Sequence, residues 1–102
     1  MNKKISDYLT PAEILAQMAE EAAELAQAAL KLRRALDGTN PTPVSIAECK
    51  ANLIEEYADV VTCVSALDYP PEWFEDVTFA VNAKRTRWLT RLQEARHEEP
   101  DL

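Results

Sequence analysis

Two pairs of acidic residues occur at helical spacing in separate stretches of the sequence. Glu21 and Glu24 form the first pair, and Glu56 and Asp59 form the second. Side chains three residues apart lie on the same face of an α-helix, so each pair presents two carboxylates side by side. Mg²⁺ and Mn²⁺ prefer oxygen ligands of this kind and commonly bind substrate phosphates as well. These residue types predict a divalent-metal site and, if the protein is an enzyme, metal-assisted hydrolysis.

Three helices are predicted to position these residues. Thr10 begins a capping box with proline at the first helical position, and it predicts a helix over about 11–36 that ends at a glycine. Ser45 begins a second capping box and predicts a helix to about residue 67. After two prolines, a third helix is predicted over about 72–96, and no strand is expected.

The two acid pairs fall beside the apolar stripes of the first two helices. At 100° per residue, Glu21 and Glu56 lie about 40° from the centre of their stripes, whereas Glu24 and Asp59 lie about 100° away on the same side. In an antiparallel hairpin with its tip near Asn40, the numbers of facing residues add up to about 80. Glu24 then faces Glu56 and Glu21 faces Asp59, so the four carboxylates are predicted to converge.

Four ionised carboxylates that are partly removed from water repel one another and lose hydration. Such a cluster persists only if the acids are protonated or if cations neutralise them. The alternative is an ordinary solvated acidic face, but the duplication and the matched heights favour a metal site. A ferritin-like di-metal site would need a Glu-x-x-His pair, whereas the single histidine, His97, lies in the C-terminal tail.

Apolar residues at three- and four-residue spacing predict how the helices pack. The expected inward residues are Ile14, Met18, Leu25, Ala29, Leu32 and Leu36 in the first helix; Cys49, Leu53, Val60, Val64 and Leu67 in the second; and Trp73 or Phe74, Val77, Val81, Trp88 and Leu92 in the third. Leu30, Ile54 and Val61 lie off these stripes, which favours a homodimer or a dimer of dimers.

The expected fold is therefore all-α: an antiparallel helical hairpin plus a third helix, in a bundle completed by dimerisation. The chain of 102 residues suits one domain over 1–102, with irregular segments at 1–9 and 97–102.

Composition excludes several other functions. The net charge of −7 argues against binding to nucleic acid polymers, whose phosphates need a basic surface, but a bound cation can still recruit a nucleotide. No apolar run is long enough for a membrane span, and no signal peptide is expected. Cys49 and Cys63 are too far apart along one predicted helix to pair, and they are expected to be buried thiols in a cytoplasmic protein.

The acidic pattern resembles a known family signature. Glu20-Glu21-Ala22-Ala23-Glu24, followed on the next helix by Glu56-Tyr57-Ala58-Asp59, is similar to the Glu-Glu-x-x-Glu … Glu-x-x-Asp signature of the MazG-like, all-α nucleoside triphosphate pyrophosphatases. The resemblance implies hydrolysis of a nucleoside triphosphate to the monophosphate and pyrophosphate. It also implies that Glu21, Glu24, Glu56 and Asp59 bind Mg²⁺, with Mn²⁺ as an alternative, and that Glu20 and Glu21 act in catalysis. Glu20 would bind a further metal or help to position the attacking water.

The same resemblance extends to residues 81–88 of the third helix. Family members often carry an asparagine followed by basic residues near the substrate phosphates, and Asn82, Lys84 and Arg85 match this pattern. The lysine that usually precedes the asparagine by one turn is Thr78 here. The implied role is removal of non-standard or excess nucleotides. Two other interpretations stay open, namely a non-catalytic helical dimer that acts as an adaptor, and a nucleotide or metal sensor.

Overall fold

The structure is a computed structural model, which describes residues 2–98 of the chain. A 3₁₀ turn at Ile5–Asp7 precedes three helices: α1 (Pro11–Asp37), α2 (Ile46–Ala66) and α3 (Pro71–Ala95). No strand occurs among residues 2–98. The predicted all-α fold class is confirmed, and each helix begins and ends close to its predicted bounds.

The contacts within the chain define two compact units, Met1–Asp68 and Tyr69–Leu102. The first unit contains the 3₁₀ turn, α1 and α2, and the second contains α3. The single domain over 1–102 stays a prediction. The segment expected to be irregular at 1–9 includes the 3₁₀ turn, and residues 99–102 of the expected irregular tail lie outside the described residues.

Residues at its two ends explain the bounds of α1. The Thr10 hydroxyl accepts a hydrogen bond from the Glu13 amide at 3.1 Å, and the Thr10 amide donates to the Glu13 carboxylate at 3.0 Å. This reciprocal pair satisfies backbone donors that the first turn of a helix leaves free. At the other end, Gly38 has a φ of 75° and its amide donates to the Arg34 carbonyl. Only glycine adopts this left-handed conformation without steric cost, so the helix ends there.

The C-terminal end of α2 holds the N-terminal segment of the chain. Ser45 caps the opposite end of α2 by accepting from the Glu48 amide at 3.3 Å, as the sequence predicted. Asp68 follows α2 with a φ of 55°, and its carboxylate accepts a hydrogen bond from the Ser6 hydroxyl. The Lys4 ammonium lies 4.0 Å from the same carboxylate. These contacts hold the 3₁₀ turn beside the seam between α1 and α2.

The seam between α1 and α2 follows an alternating four- and three-residue step on both helices. The buried or half-buried side chains that follow this step are Ile14, Met18, Glu21, Leu25, Ala28, Leu32 and Ala35 on α1, and Cys49, Leu53, Glu56, Val60 and Cys63 on α2 with Leu67 directly after it. This step averages 3.5 residues per turn, which is the period of helices packed at a shallow angle. Glu21 and Glu56 therefore occupy core positions of the hairpin.

Two of the predicted core residues in α1 are wrong. Ala29 and Leu36 are exposed, Leu36 at 60%. Ala28 and Ala35 are the inward residues instead. The step from Glu21 to Leu25 is four residues, so the next step must be three residues for the following side chain to stay on the inward face of α1. All five core residues predicted for α2 are buried or half-buried.

Within the second unit, α3 begins with an aromatic cluster and continues with exposed apolar side chains. The rings of Tyr69 and Trp73 stack with centroids 4.6 Å apart, and Trp73 also contacts Phe74 edge-on. Of the predicted inward residues of α3, Trp73 is half-buried, whereas Phe74, Val77, Val81, Trp88 and Leu92 are exposed. Apart from Trp73, the inward residues predicted for α3 are thus exposed in the single chain, and their burial in a dimer stays a prediction.

No helix within residues 2–98 has both the length and the apolar character that crossing a bilayer requires.

Candidate metal centre

Four carboxylates meet in the middle of the seam. Glu21 and Glu24 project from α1, Glu56 and Asp59 project from α2, and one oxygen of each lies within 4.8 Å of the chosen oxygens of the other three. This convergence requires α1 and α2 to run antiparallel at the register that the sequence predicted. The four acids proposed from the sequence therefore form one cluster, called here the acidic cluster, while their role as metal ligands stays a prediction.

The acidic cluster has an inner and an outer pair. Glu21 and Glu56 are half-buried, and Glu24 and Asp59 are exposed. This matches the predicted angles, because the inner pair lies close to the centre of each apolar stripe and the outer pair lies toward one side. The exposed outer pair therefore gives the cluster access to solvent on the side of the seam toward which Glu24 and Asp59 lie.

Two oxygens of the inner pair lack the partners that buried polar atoms usually have. Oε2 of Glu21 and Oε2 of Glu56 are both shielded from solvent, and neither accepts a hydrogen bond. The other oxygen of Glu21 accepts from the side-chain amide of Gln17 at 2.7 Å. A buried oxygen without a hydrogen-bond partner lowers the stability of the fold by on the order of 1–3 kcal/mol or more. A ligand that accepts electron pairs from the inner pair would remove this cost.

The donor set of the acidic cluster fits a hard divalent cation. All four groups are carboxylates, which suit Mg²⁺ and Mn²⁺ better than a soft metal. Opposite ligands of an octahedral Mg²⁺ lie roughly 4.2 Å apart, which is close to the 4.8 Å spread of the four oxygens. Small side-chain adjustments would therefore let these oxygens share one ion, and the two unpartnered oxygens would gain a partner.

Cys63 lies against the acidic cluster, a position that was not predicted from the sequence. Burial, followed by the negative charges of Glu21 and Asp59, raises the pKa of the Cys63 thiol. The thiol therefore stays neutral and fills space beside the acids. Its four-residue spacing from Asp59 could have placed it on the same face. Cys49 is also buried, so the expectation of two buried, unpaired thiols is confirmed.

Glu20 and Glu55 flank the acidic cluster in sequence but lie outside it. Both side chains are exposed, and neither belongs to the group of acids that could share an ion. For Glu55 this exposure means that the side chain is solvated. For Glu20 it means that the predicted catalytic role would be exercised from the solvent side, next to Glu21.

The predicted phosphate contacts lie on α3, within the second unit. Nη1 of Arg85 donates to Oδ1 of Asn82 at 3.5 Å, so these two side chains lie on one face. Lys84 instead lines a basic groove together with Arg87, Trp88 and Arg91. The roles of Asn82, Lys84 and Arg85 in binding phosphate stay predictions.

Two cavities of opposite character adjoin the acidic cluster within the first unit. The apolar pocket has a volume of about 250 Å³ and is lined mainly by Ile5, Leu9, Ile14, Thr62, Cys63 and Ala66, with Glu21 and Asp59 at its inner end. The polar groove has a volume of about 370 Å³ and is lined by Glu24, Gln27, Ala28, Lys31, Asn52 and Glu56. Each cavity thus includes one acid from each helix.

Comparisons with protein-family models, with curated proteins and with solved structures found no match for this chain. Functional conclusions therefore depend on the signature residues and on the geometry of the acidic cluster.

Proposed function

We propose that this protein is a Mg²⁺-dependent nucleoside triphosphate pyrophosphohydrolase that removes non-standard or excess nucleotides. The main support is the acidic cluster, in which four carboxylates lie within 4.8 Å and two buried oxygens have no hydrogen-bond partner. A surface patch of solvated acids would not bury unpartnered oxygens in a helix seam. The resemblance of Glu20–Glu24 and Glu56–Asp59 to the MazG-like signature supplies the reaction class.

The proposed chemistry assigns a task to each acidic residue. Glu21, Glu24, Glu56 and Asp59 would hold Mg²⁺, with Mn²⁺ as a substitute. The bound ion would supply Lewis-acid polarisation of phosphate oxygens and a positive counter-charge for the triphosphate. The exposed Glu20 carboxylate would orient a water and accept its proton. The water oxygen attacks the α-phosphorus, the bond from that phosphorus to the bridging oxygen breaks, and pyrophosphate leaves.

The proposal also assigns roles to residues of α3 and to a second copy of the chain. Asn82, Lys84 and Arg85 would contact substrate phosphates, as the family pattern implies. A homodimer, or a dimer of dimers, would cover apolar side chains that the single chain leaves open, such as Phe79 at 78% exposure and Trp88 at 64%. An assembled bundle of this kind is the state in which we expect activity.

A substrate panel tests the enzymatic proposal. The purified protein is incubated with ribo- and deoxyribonucleoside triphosphates and Mg²⁺, and pyrophosphate release is measured. Glu21→Gln and Asp59→Asn are expected to lower kcat by roughly a hundredfold or more, because each removes a charged ligand. Glu55→Gln is the matched control, since Glu55 is exposed and lies outside the cluster. Equal activity of all three variants would contradict the proposal.

The alternative is a non-catalytic helical dimer that acts as an adaptor or as a nucleotide or metal sensor. The exposed apolar side chains of α3 are the observation in its favour, because they suit a partner surface without requiring turnover. Tight nucleotide binding without product would identify a sensor. Absence of both binding and turnover would favour the adaptor.

A further inference from the structure

The apolar pocket and the polar groove lie on the same side of the seam, one at each end of the acidic cluster, and the two cavities together with the cluster are called here the seam groove. On α1, the helix angles of Gln17, Glu24 and Lys31 fall on the same side of the apolar stripe. On α2, Asn52 and Ala66 fall on the matching side. The apolar pocket and the polar groove therefore extend from the cluster in opposite directions along the same face, over roughly 20 Å from Gln17 to Lys31.

The two ends of this groove offer different chemistry. The end toward Ala66 is walled by aliphatic side chains and the neutral Cys63 thiol. The other end carries Lys31 together with the amide side chains of Gln27 and Asn52. Among the residues that line the apolar pocket and the polar groove, Lys31 is the one with a basic side chain. A ligand with one apolar end and one anionic end would therefore bind in one orientation.

We propose, on the basis of the proposed function, that the groove binds a nucleoside triphosphate with its base in the apolar pocket and its terminal phosphates in the polar groove beside Lys31. The α-phosphate then lies near Glu21 and Asp59, and the β- and γ-phosphates extend past Glu24 and Glu56. The bond to be cleaved lies between the two halves of the acidic cluster.

The walls and the polar atoms of the apolar pocket suit a planar base. The side-chain nitrogen of Gln17 donates to Glu21, so the Gln17 amide oxygen is left as an acceptor, because a carboxylate can only accept. The Thr62 hydroxyl donates to the Ala58 carbonyl at 2.8 Å, which leaves its oxygen as an acceptor as well. Ligand pockets of this type combine apolar walls with a few polar atoms, and a volume of about 250 Å³ suits a small aromatic ring system.

The reversed orientation is unfavourable at both ends. A triphosphate in the apolar pocket would face aliphatic walls with no cation and would lose its hydration without compensation. A base in the polar groove would displace the water that hydrates the Lys31 ammonium and the side-chain amides of Gln27 and Asn52. It would not replace all of the hydrogen bonds that these groups make with water. The directional character of the groove therefore fixes which end of the nucleotide lies at Lys31.

Two matched pairs of variants test this orientation by titration calorimetry in the presence of Mn²⁺. Ala66→Leu fills the apolar pocket, and Ala51→Leu places the same side chain on an exposed site of α2. Lys31→Gln removes the cation of the polar groove, and Lys50→Gln removes an exposed lysine of α2. The probes are an α,β-imido nucleoside triphosphate, which is not hydrolysed, and inorganic tripolyphosphate, which has no base.

Each variant has a distinct expected result. Ala66→Leu is expected to weaken the nucleotide analogue by about tenfold, because the base loses its apolar contacts, and to leave tripolyphosphate unchanged. Lys31→Gln is expected to weaken both probes by up to about fivefold, the effect of one exposed charge pair. Ala51→Leu and Lys50→Gln should bind both probes as the unaltered protein does. Should Ala66→Leu fail to fold, Ile5→Ser removes a partly exposed wall of the same pocket and should weaken the analogue alone.

The two proposals fail in different ways. Three results would overturn the orientation. Ala66→Leu could lose affinity for tripolyphosphate, or it could keep its affinity for the nucleotide analogue. Lys31→Gln could bind both probes as tightly as the unaltered protein does. Absence of binding of either probe to the unaltered protein would overturn it too. If the expected pattern of binding occurs without pyrophosphate release from natural nucleotides, the orientation stands and the enzymatic proposal fails.

Discussion

Replacement of Glu56 by glutamine should stabilise the protein when no divalent metal is present. Glu56 is half-buried at the centre of the acidic cluster, and one of its oxygens has no hydrogen-bond partner. Three other carboxylates surround this side chain, and glutamine keeps its size but cannot carry a charge. The variant therefore relieves repulsion without creating a cavity.

Coulomb's law gives the size of this effect. Two unit charges 4.8 Å apart, the upper limit within the cluster, repel by about 0.9 kcal/mol in bulk water. Physiological salt reduces each repulsion to about 0.5 kcal/mol. Glu56 has three such neighbours, so its neutralisation should raise the free energy of unfolding by about 1.5 kcal/mol. For a domain of this size the increase corresponds to a rise in Tm of about 6–12 °C.

Addition of Mg²⁺ should reverse the order of stability. The unaltered protein gains about 2.7 kcal/mol when free Mg²⁺ is a hundredfold above its Kd, whereas Glu56→Gln lacks one of the four ligands and gains less. Circular dichroism during heating, with EDTA and with Mg²⁺, measures both Tm values. Glu55→Gln is the control and should change the free energy of unfolding by less than about 0.5 kcal/mol in either condition.

Two results would refute this reasoning. The first is a Glu56→Gln variant that is no more stable than the unaltered protein in EDTA, since the four carboxylates would then not repel one another appreciably. The second is an equal rise in Tm on addition of Mg²⁺ to both proteins, since the ion would then bind elsewhere.

Three further predictions concern the helix ends and the thiol beside the cluster. Thr10→Ala removes the cap of α1 and should lower the free energy of unfolding in urea by about 1 kcal/mol, and no change would mean that the capping pair does not stabilise α1. Gly38→Ala meets open space but must adopt a φ of 75°, so it should cost about 1 kcal/mol by the same assay. Because burial first, and the neighbouring acids second, raise the pKa of Cys63, its alkylation should require a higher pH than that of an ordinary thiol. The folded pKa lies above the unfolded one, so this group's contribution to stability is lost as pH rises past the ordinary thiol range. Asp59→Asn should shift the rate profile of Cys63 alkylation to lower pH, measured by mass spectrometry of the separate Cys49 and Cys63 peptides, and an unchanged profile would exclude the contribution of Asp59 to this pKa.

Helix bounds could be predicted because the signals that end a helix are local. Thr10, Ser45 and Gly38 act on backbone groups within a few residues, so their effect does not depend on the rest of the fold. The inner and outer positions of the acids also follow from helical periodicity alone. Their convergence needed one further fact, the length of the hairpin loop, which set facing residues at matched heights.

The exact inward line of α1 depended on the partner helix. Periodicity allowed either Ala28 or Ala29 to continue the stripe after Leu25, because both lie within the apolar half of the helix. Packing against α2 selected Ala28, since only the alternating step keeps the same side of α1 in contact with α2 along its whole length.

The sequence by itself determined three helices, two acid pairs and the face on which each pair lies, because these properties depend on residues within one or two turns. Tertiary structure alone decided which carboxylate oxygens are buried without partners, because shielding comes from the opposite helix. It also decided that an apolar pocket adjoins the acids on one side and a polar groove on the other. The pocket wall includes Ile5 and Leu9, which reach the seam through the contacts of Ser6 and Lys4 with Asp68, residues more than sixty positions apart in the chain.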